Sequence, residues 1–264
     1  MKKLLFSAMG LLLLSLGWLS CNPNSSGGDT NPPGAYKLSY GDSIIYLRPS
    51  TSDYIVNPVT RRDGVYTGFP EGIEIDAITG AINVSKSETG LRYRITHTAP
   101  DGTKTETNVV LSGITFLDKF YNLAQNDSLA LPVYNASVSR VLPLSGSNFD
   151  DGNNANSGGC SVRTDNGIIN LAQCVRNGVF GNTPQNDSRR DFDILYRIND
   201  GSGKALNKLR VRIYYYNTMA DVAPDLLQTL ADRLAGGVFL RGGAVDATQQ
   251  AAKPRPPCVI VVGQ

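Results

Sequence analysis

The sequence predicts an all-β protein: two tandem β-sandwiches followed by a short C-terminal helix and a terminal strand. Three observations carry this. The stretch Phe69-Pro70-Glu71-Gly72-Ile73-Glu74-Ile75-Asp76-Ala77-Ile78-Thr79-Gly80-Ala81-Ile82-Asn83-Val84 alternates apolar and polar residues on either side of a turn cluster, the pattern of a β-hairpin with one apolar face. A second copy, Cys160 to Leu171, aligns with it without a gap, placing Gly80 on Gly167, Ile82 on Ile169 and Asn83 on Asn170. Helical periodicity is nearly absent before residue 224, and short alternating segments separated by turn signals fill the rest, as in antiparallel sandwiches of about 100 residues.

Taken in order, Lys2 and Lys3 precede an apolar run from Leu4 to Trp18, then Leu19-Ser20-Cys21. Charged, apolar and small-residue zones in that sequence mark residues 1–20 as a secretory signal. A small residue before a cysteine at the end of the run resembles the bacterial lipoprotein signal. That resemblance implies lipid on Cys21, attachment to a membrane through it, and a place in the cell envelope as an outer-membrane lipoprotein. Residues 21–35, made of Asn, Pro, Ser, Gly, Asp and Thr with almost no apolar side chain, cannot bury enough surface to order themselves and read as a tether. Removing the signal takes away two lysines, so 25 basic and 23 acidic side chains become 23 and 23. A neutral chain gives no electrostatic footprint for nucleic acid. No other apolar stretch reaches the roughly 18 residues of a membrane span.

The duplication extends beyond the hairpin. Tyr36 to Ile44 matches Tyr121 to Leu129 at an offset of 85, the hairpin glycines are offset by 87, and Tyr93-Arg94-Ile95 matches Tyr196-Arg197-Ile198. Asp101-Gly102 and Asp200-Gly201 are hairpin turns, and Asn108 to Leu111 matches Arg210 to Ile213. The growing offset places an insertion in the second copy at residues 176–190, rich in Asn, Gly, Pro, Asp and Arg. The first repeat covers 36–115 and the second 116–217, each large enough for its own core.

The motif Pro70-x-Gly72-Ile73-x-Ile75-Asp76-x-x-Thr79-Gly80-x-Ile82, followed by Gly90 and Tyr93-x-Ile95, resembles the Ig-like, cadherin-like domains of bacterial surface proteins. The second repeat keeps the Gly-x-Ile-Asn core but lacks the Pro-x-Gly lead. The resemblance implies a sandwich used for adhesion, spacing or carbohydrate contact, and it is specific for fold rather than function.

In residues 218–264, Pro224 and Asp225 open a helix, Leu226, Leu227, Leu230 and Leu234 form its apolar stripe, Arg233 lies in its last turn and Gly236-Gly237 ends it. The stripe is expected to pack on the second repeat. The strand-like run Cys258 to Val262 is expected to complete a sheet edge.

Cys160 and Cys174, with 13 residues between them, are expected to form a disulfide in an exported protein; Cys258 is the competing partner for either. With no Cys-x-x-Cys pair and one histidine, metal ligation and a cofactor are not expected. His97 is read as an exposed strand residue, which removes a Ser-His-Asp site, and Gly41-Asp42-Ser43-Ile44, similar to the nucleophile block of one esterase and lipase family, lacks the later Asp-x-x-His. A non-catalytic binding, adhesion or spacer module is therefore expected, with a glycan or an envelope protein as partner. The candidate ligand loop is 147–158, where Asn148, Phe149, Asp150, Asp151, Asn153 and Asn154 offer oxygens for Ca²⁺ and amides beside an aromatic ring for a sugar. The alternatives are a polysaccharide hydrolase using Asp150 and Asp151, and an accessory subunit of an outer-membrane assembly docking through the leucine helix or terminal strand.

Overall fold

The computed structural model describes residues 36–235 and 257–263. The signal, the tether and Cys21 lie outside the described residues, as do Gly236-Gly237 and the segment up to Pro256.

Repeat one holds β1 (Ile44–Ile45), β2 (Ile55–Val56), β3 (Val65–Phe69), β4 (Ile82–Asn83), β5 (Arg92–Thr98) and β6 (Lys104–Leu111). One sheet runs β1-β6-β5-β3, with β1 parallel to β6 and the other neighbours antiparallel; β2 and β4 form the facing pair. This is an Ig-like sandwich. Strand β5 buries every second residue, Tyr93, Ile95 and His97, as a strand with one face in a core must.

Between the repeats, β7 (Ile114–Phe116) pairs with β10 (Pro132–Tyr134). Repeat two adds β8 (Lys119–Asn122), β9 (Leu129–Ala130), β11 (Asn148–Phe149), β12 (Ile169–Asn170), β13 (Ser188–Arg197) and β14 (Asn207–Tyr216). Helices α1 (Asn154–Ser157) and α2 (Leu171–Arg176) lie within it, and α3 (Pro224–Ala235) follows it. Its large sheet runs β11-β13-β14-β15-β8, where β15 is Cys258–Val262, and β9 pairs with β12 opposite. The chain is thus two tandem Ig-like sandwiches with a C-terminal helix and strand.

The duplicated hairpin is the same object twice, bond for bond. In repeat one a single bridge joins Ile75 to Ile82, and the amides of Asp76, Gly80 and Asn83 donate to Ala81, Asp76 and Glu74 oxygens. In repeat two Val162 bridges Ile169, and the amides of Arg163, Gly167 and Asn170 donate to Ile168, Arg163 and Ser161, every partner displaced by 87. The arms are shorter than the alternation implies, one bridge instead of two regular strands. Above each turn sits an aromatic ring: the Tyr66 amide donates to Ala77 O and the Phe149 amide to Thr164 O, again 87 apart at the acceptor.

These bonds correct the register elsewhere. Because Tyr66 pairs with His97 and Phe149 with Tyr196, His97 corresponds to Tyr196, and Tyr93 to Phe192 instead of Tyr196. The match of Asp42-Ser43-Ile44 to Asp127-Ser128-Leu129 also fails: Ile44 lies in the β1–β6 sheet, whereas Leu129 pairs with Asn170 as Ile55 pairs with Asn83. His97 is buried, not exposed; its Nε2 lies 3.1 Å from Asp63 O and its ring packs 4.7 Å from that of Tyr66.

The insertion in repeat two starts earlier than its polar composition suggested, as α2. Asn170 Oδ1 accepts the Gln173 amide as an N-cap at 3.0 Å, and Asn83 Oδ1 accepts the Lys86 amide at 3.2 Å. The same cap produces a turn in repeat one and, over Leu171 to Arg176, a helix in repeat two. Strand β15 is buried on both faces: Val259 and Val261 reach the sandwich core, and Ile260 packs beneath α3 with Tyr214, Tyr216 and Leu226. Each such aliphatic side chain contributes about 1.5–3 kcal/mol as an upper range.

Candidate functional site

The stretch expected to bind a ligand folds onto itself. Asn148 and Phe149 form β11, and Phe149 is fully buried, its ring over Gly167 and stacked at 6.4 Å from that of Tyr196. Asp150 is buried and satisfied within the turn: Oδ1 accepts the Ala155 amide at 2.8 Å, and Oδ2 accepts the Asn156 amide at 2.9 Å and Asn156 Nδ2 at 2.7 Å. Asn156 Oδ1 in turn accepts the Val162 amide, tying α1 to the hairpin. Asp151 pairs with Arg197 at 2.7 Å. Asn153 and Asn154 are exposed at the start of α1. Of the expected ligand loop, the Phe149 ring and the Asp150 carboxylate are thus taken up inside the turn, while Asn153 and Asn154 stay exposed. The paired-carboxylate hydrolase loses Asp150 for the same reason. Among the described residues no group of three or more His, Cys, Asp or Glu side chains is placed to hold a metal.

The disulfide expected between Cys160 and Cys174 is not formed: both residues are fully buried and stand as free thiols side by side in the core of repeat two. The Cys160 thiol donates to the Cys174 sulfur, which pushes Cys160 up, with burial adding to it, and pulls Cys174 down. Cys174 Sγ also accepts the Ser161 amide at 3.2 Å. Ser87, its counterpart in repeat one, accepts the Glu74 amide at 2.9 Å, so Cys174 fills the role of a serine. Of Cys258 only the backbone is described.

A concave site forms elsewhere, where the two repeats meet. A cleft of about 440 Å³ is lined by residues 47–53 and Ser85 of repeat one and by Arg197, Ala205 and Leu206 of repeat two. Its apolar lining is Leu47, Pro49, Ala205 and Leu206; Arg48, Ser50, Thr51, Ser52, Asp53 and Arg197 are its polar lining. Several are held in place. Arg48 lies over the Tyr54 ring at 4.9 Å, Asp53 accepts Asn83 Nδ2 at 2.8 Å and Lys86 Nζ at 2.9 Å, and Arg197 also donates to Lys204 O at 3.0 Å. The pairing lowers Asp53 below the usual carboxylate range, its hydrogen bond to Lys86 first among the causes. Sequence reading passed over 47–53 because its Arg, Pro, Ser and Thr residues have no periodicity; their partner residues lie some 150 positions away.

The joint between the repeats is tightly packed. Tyr196 Oη lies 3.0 Å from Thr89 Oγ1 and accepts the Ile114 amide at 3.1 Å. Asp200, read from sequence as a hairpin turn, sits in a wider loop between β13 and β14, where Oδ2 accepts Tyr134 Oη at 2.7 Å and Ser112 Oγ at 3.1 Å. At Gly113 a Cβ atom would stand 2.5 Å from Tyr196 Oη, so only glycine fits.

No family model matches the chain, and no curated protein does either. Solved structures that are similar to it include Drosophila N-cadherin EC1-4, at 14% identity and a TM-score of 0.20 over 69% of this chain and 49% of that one. A SusE-like surface located polysaccharide binding protein from the Bacteroides thetaiotaomicron heparin utilisation locus is 11% identical, with a TM-score of 0.24, over 70% of this chain and 35% of that one. Mouse cadherin-23 EC22-24 is 15% identical, with a TM-score of 0.17, over 65% and 62%. The chain thus spans about half of the first of these and a third of the second. Scores this low add nothing to the fold already given by the strand order.

Proposed function

We propose that this chain is a non-enzymatic binding module of the cell envelope, anchored by lipid on Cys21, that holds a glycan segment in the cleft shared by its two repeats. In this reading residues 1–20 are the signal, 21–35 the tether, 36–115 and 116–217 the two sandwich domains, and 218–264 the C-terminal extension. The observation that carries it is the cleft itself: residues bearing hydroxyl, guanidinium and carboxylate groups line it beside apolar ones, and both sandwiches contribute them. Concave sites at the meeting of two domains, with a few fixed polar groups, are where small ligands bind. Arginines and an aspartate suit a sugar carrying both hydroxyl and acidic groups.

The test is a glycan array on the chain from residue 22 onward, followed by calorimetry on any hit. Arg48→Ala should weaken the hit about tenfold, the equivalent of 1.4 kcal/mol, while leaving the circular dichroism spectrum unchanged. An array without hits, or a hit indifferent to Arg48→Ala, removes the reading.

A further inference from the structure

In repeat one the leading strand β1 hydrogen-bonds directly to the last strand β6, parallel, with Ile44 opposite Val110 and Ile45 opposite Leu111. Repeat two lacks that contact. Its leading strand β8 is separated from its last strand β14 by β15, which pairs in parallel with both: five residues against β14, from Arg212↔Cys258 to Tyr216↔Val262, and four against β8, from Val259↔Lys119 to Val262↔Asn122. The repeat is therefore an open sandwich with a one-strand slot, and the strand that closes it comes from the C-terminal end of the sequence.

We infer that β15 is an exchangeable strand, and that a second copy of this chain can supply it in trans to the slot between β8 and β14. Three features support this. Removing β15 leaves two facing rows of unsatisfied backbone groups, about two strand spacings apart, and such open edges recruit strands. The slot reads side chains on both faces, taking Val259 and Val261 into the sandwich core and Ile260 beneath α3, which favours this strand over an arbitrary one. Finally, 21 residues separate Ala235 from Pro257, and that length extends to about 70 Å, well beyond the width of one sandwich. Connectivity therefore does not confine β15 to its own slot. The bonds made in cis and in trans are the same, so protein concentration during folding sets the balance between them. Reciprocal exchange closes a dimer; one-way donation propagates a chain of copies. This goes beyond glycan binding, since the slot and the cleft are formed by different residues.

The test uses the full chain, refolded from denaturant at increasing protein concentration, with mass read by light scattering after dilution. The expected result is a dimer or larger species whose share grows with concentration during refolding and persists on dilution. A synthetic peptide of residues 257–264, in excess during refolding, should occupy the slot and suppress that species. In Val261→Pro the strand loses a ladder amide between β8 and β14, so self-association should be lost and fluorescent peptide captured instead. A monomer at every concentration overturns the inference, as does an oligomer that neither the peptide nor Val261→Pro reduces. If Val261→Pro fails to fold, the wild-type concentration series and the peptide competition decide alone.

Discussion

Gly80 and Gly167 take left-handed φ angles of 72° and 73°, and a Cβ at either would meet the ring above it, at 2.6 Å from Tyr66 and 2.9 Å from Phe149. Backbone strain and overpacking act together there, so Gly167→Ala should cost about 2–4 kcal/mol, read as a shifted denaturant midpoint. A loss under about 1 kcal/mol would mean the ring can move aside. The cysteines give a second expectation at this scale. Non-reducing peptide mapping should recover Cys160 and Cys174 as free thiols, as the structure has them. A linkage between them or through Cys258 would contradict it. Individual residues were unevenly legible. The hairpin glycines were readable because their spacing repeats, but Phe149 and Asp150 looked available only because polar neighbours surround them. His97 had a readable signal, its parity with Tyr93 and Ile95, which its polarity obscured.

Helix α3 shows how an element can be found correctly and oriented incompletely. The leucine stripe does pack on repeat two, but through Leu226 and Leu230; Leu227 and Leu234 are exposed. The inward position one turn on belongs to Arg233, whose guanidinium pairs at 3.2 Å with Asp118, beside β8, with side-chain exposures of 5% and 9%. Burying an ion pair is costly unless both members are present. Asp118→Ala should therefore destabilise the fold by about 3–5 kcal/mol, whereas Asp118→Leu combined with Arg233→Met should recover most of it. Equal losses in the single and double variants would show that the pair contributes nothing beyond packing. No sequence pattern joins positions 118 and 233, because 115 residues separate them and only the folded sheet brings them together. The terminal strand was expected at a sheet edge; it lies one place further in, since β8 pairs on its far side.

For the whole molecule, the decisive element is the joint. The Tyr196 hydroxyl, the Asp200 carboxylate and the glycine at 113 lock the end of repeat one against repeat two. Tyr196→Phe strands the buried Ile114 amide, so stability should fall by about 1–3 kcal/mol with the sheet spectrum unchanged. A variant as stable as the parent would show that the hydroxyl does not hold the joint. The duplication and the fold class were legible because hairpins are local and repeat their spacing. The joint and the cleft were not, because they arise from residues far apart in sequence whose only common property is where the two sandwiches place them.

The inward turn of His97 has a practical consequence. The one histidine lies in the core of repeat one, the facing thiols Cys160 and Cys174 lie in the core of repeat two, and the one tryptophan, Trp18, lies outside the described residues. Each sandwich therefore carries a native probe of its own. The imidazole proton resonance follows the opening of the first, thiol accessibility in reduced protein follows the second, and comparing the two in one sample measures how strongly one half feels the melting of the other.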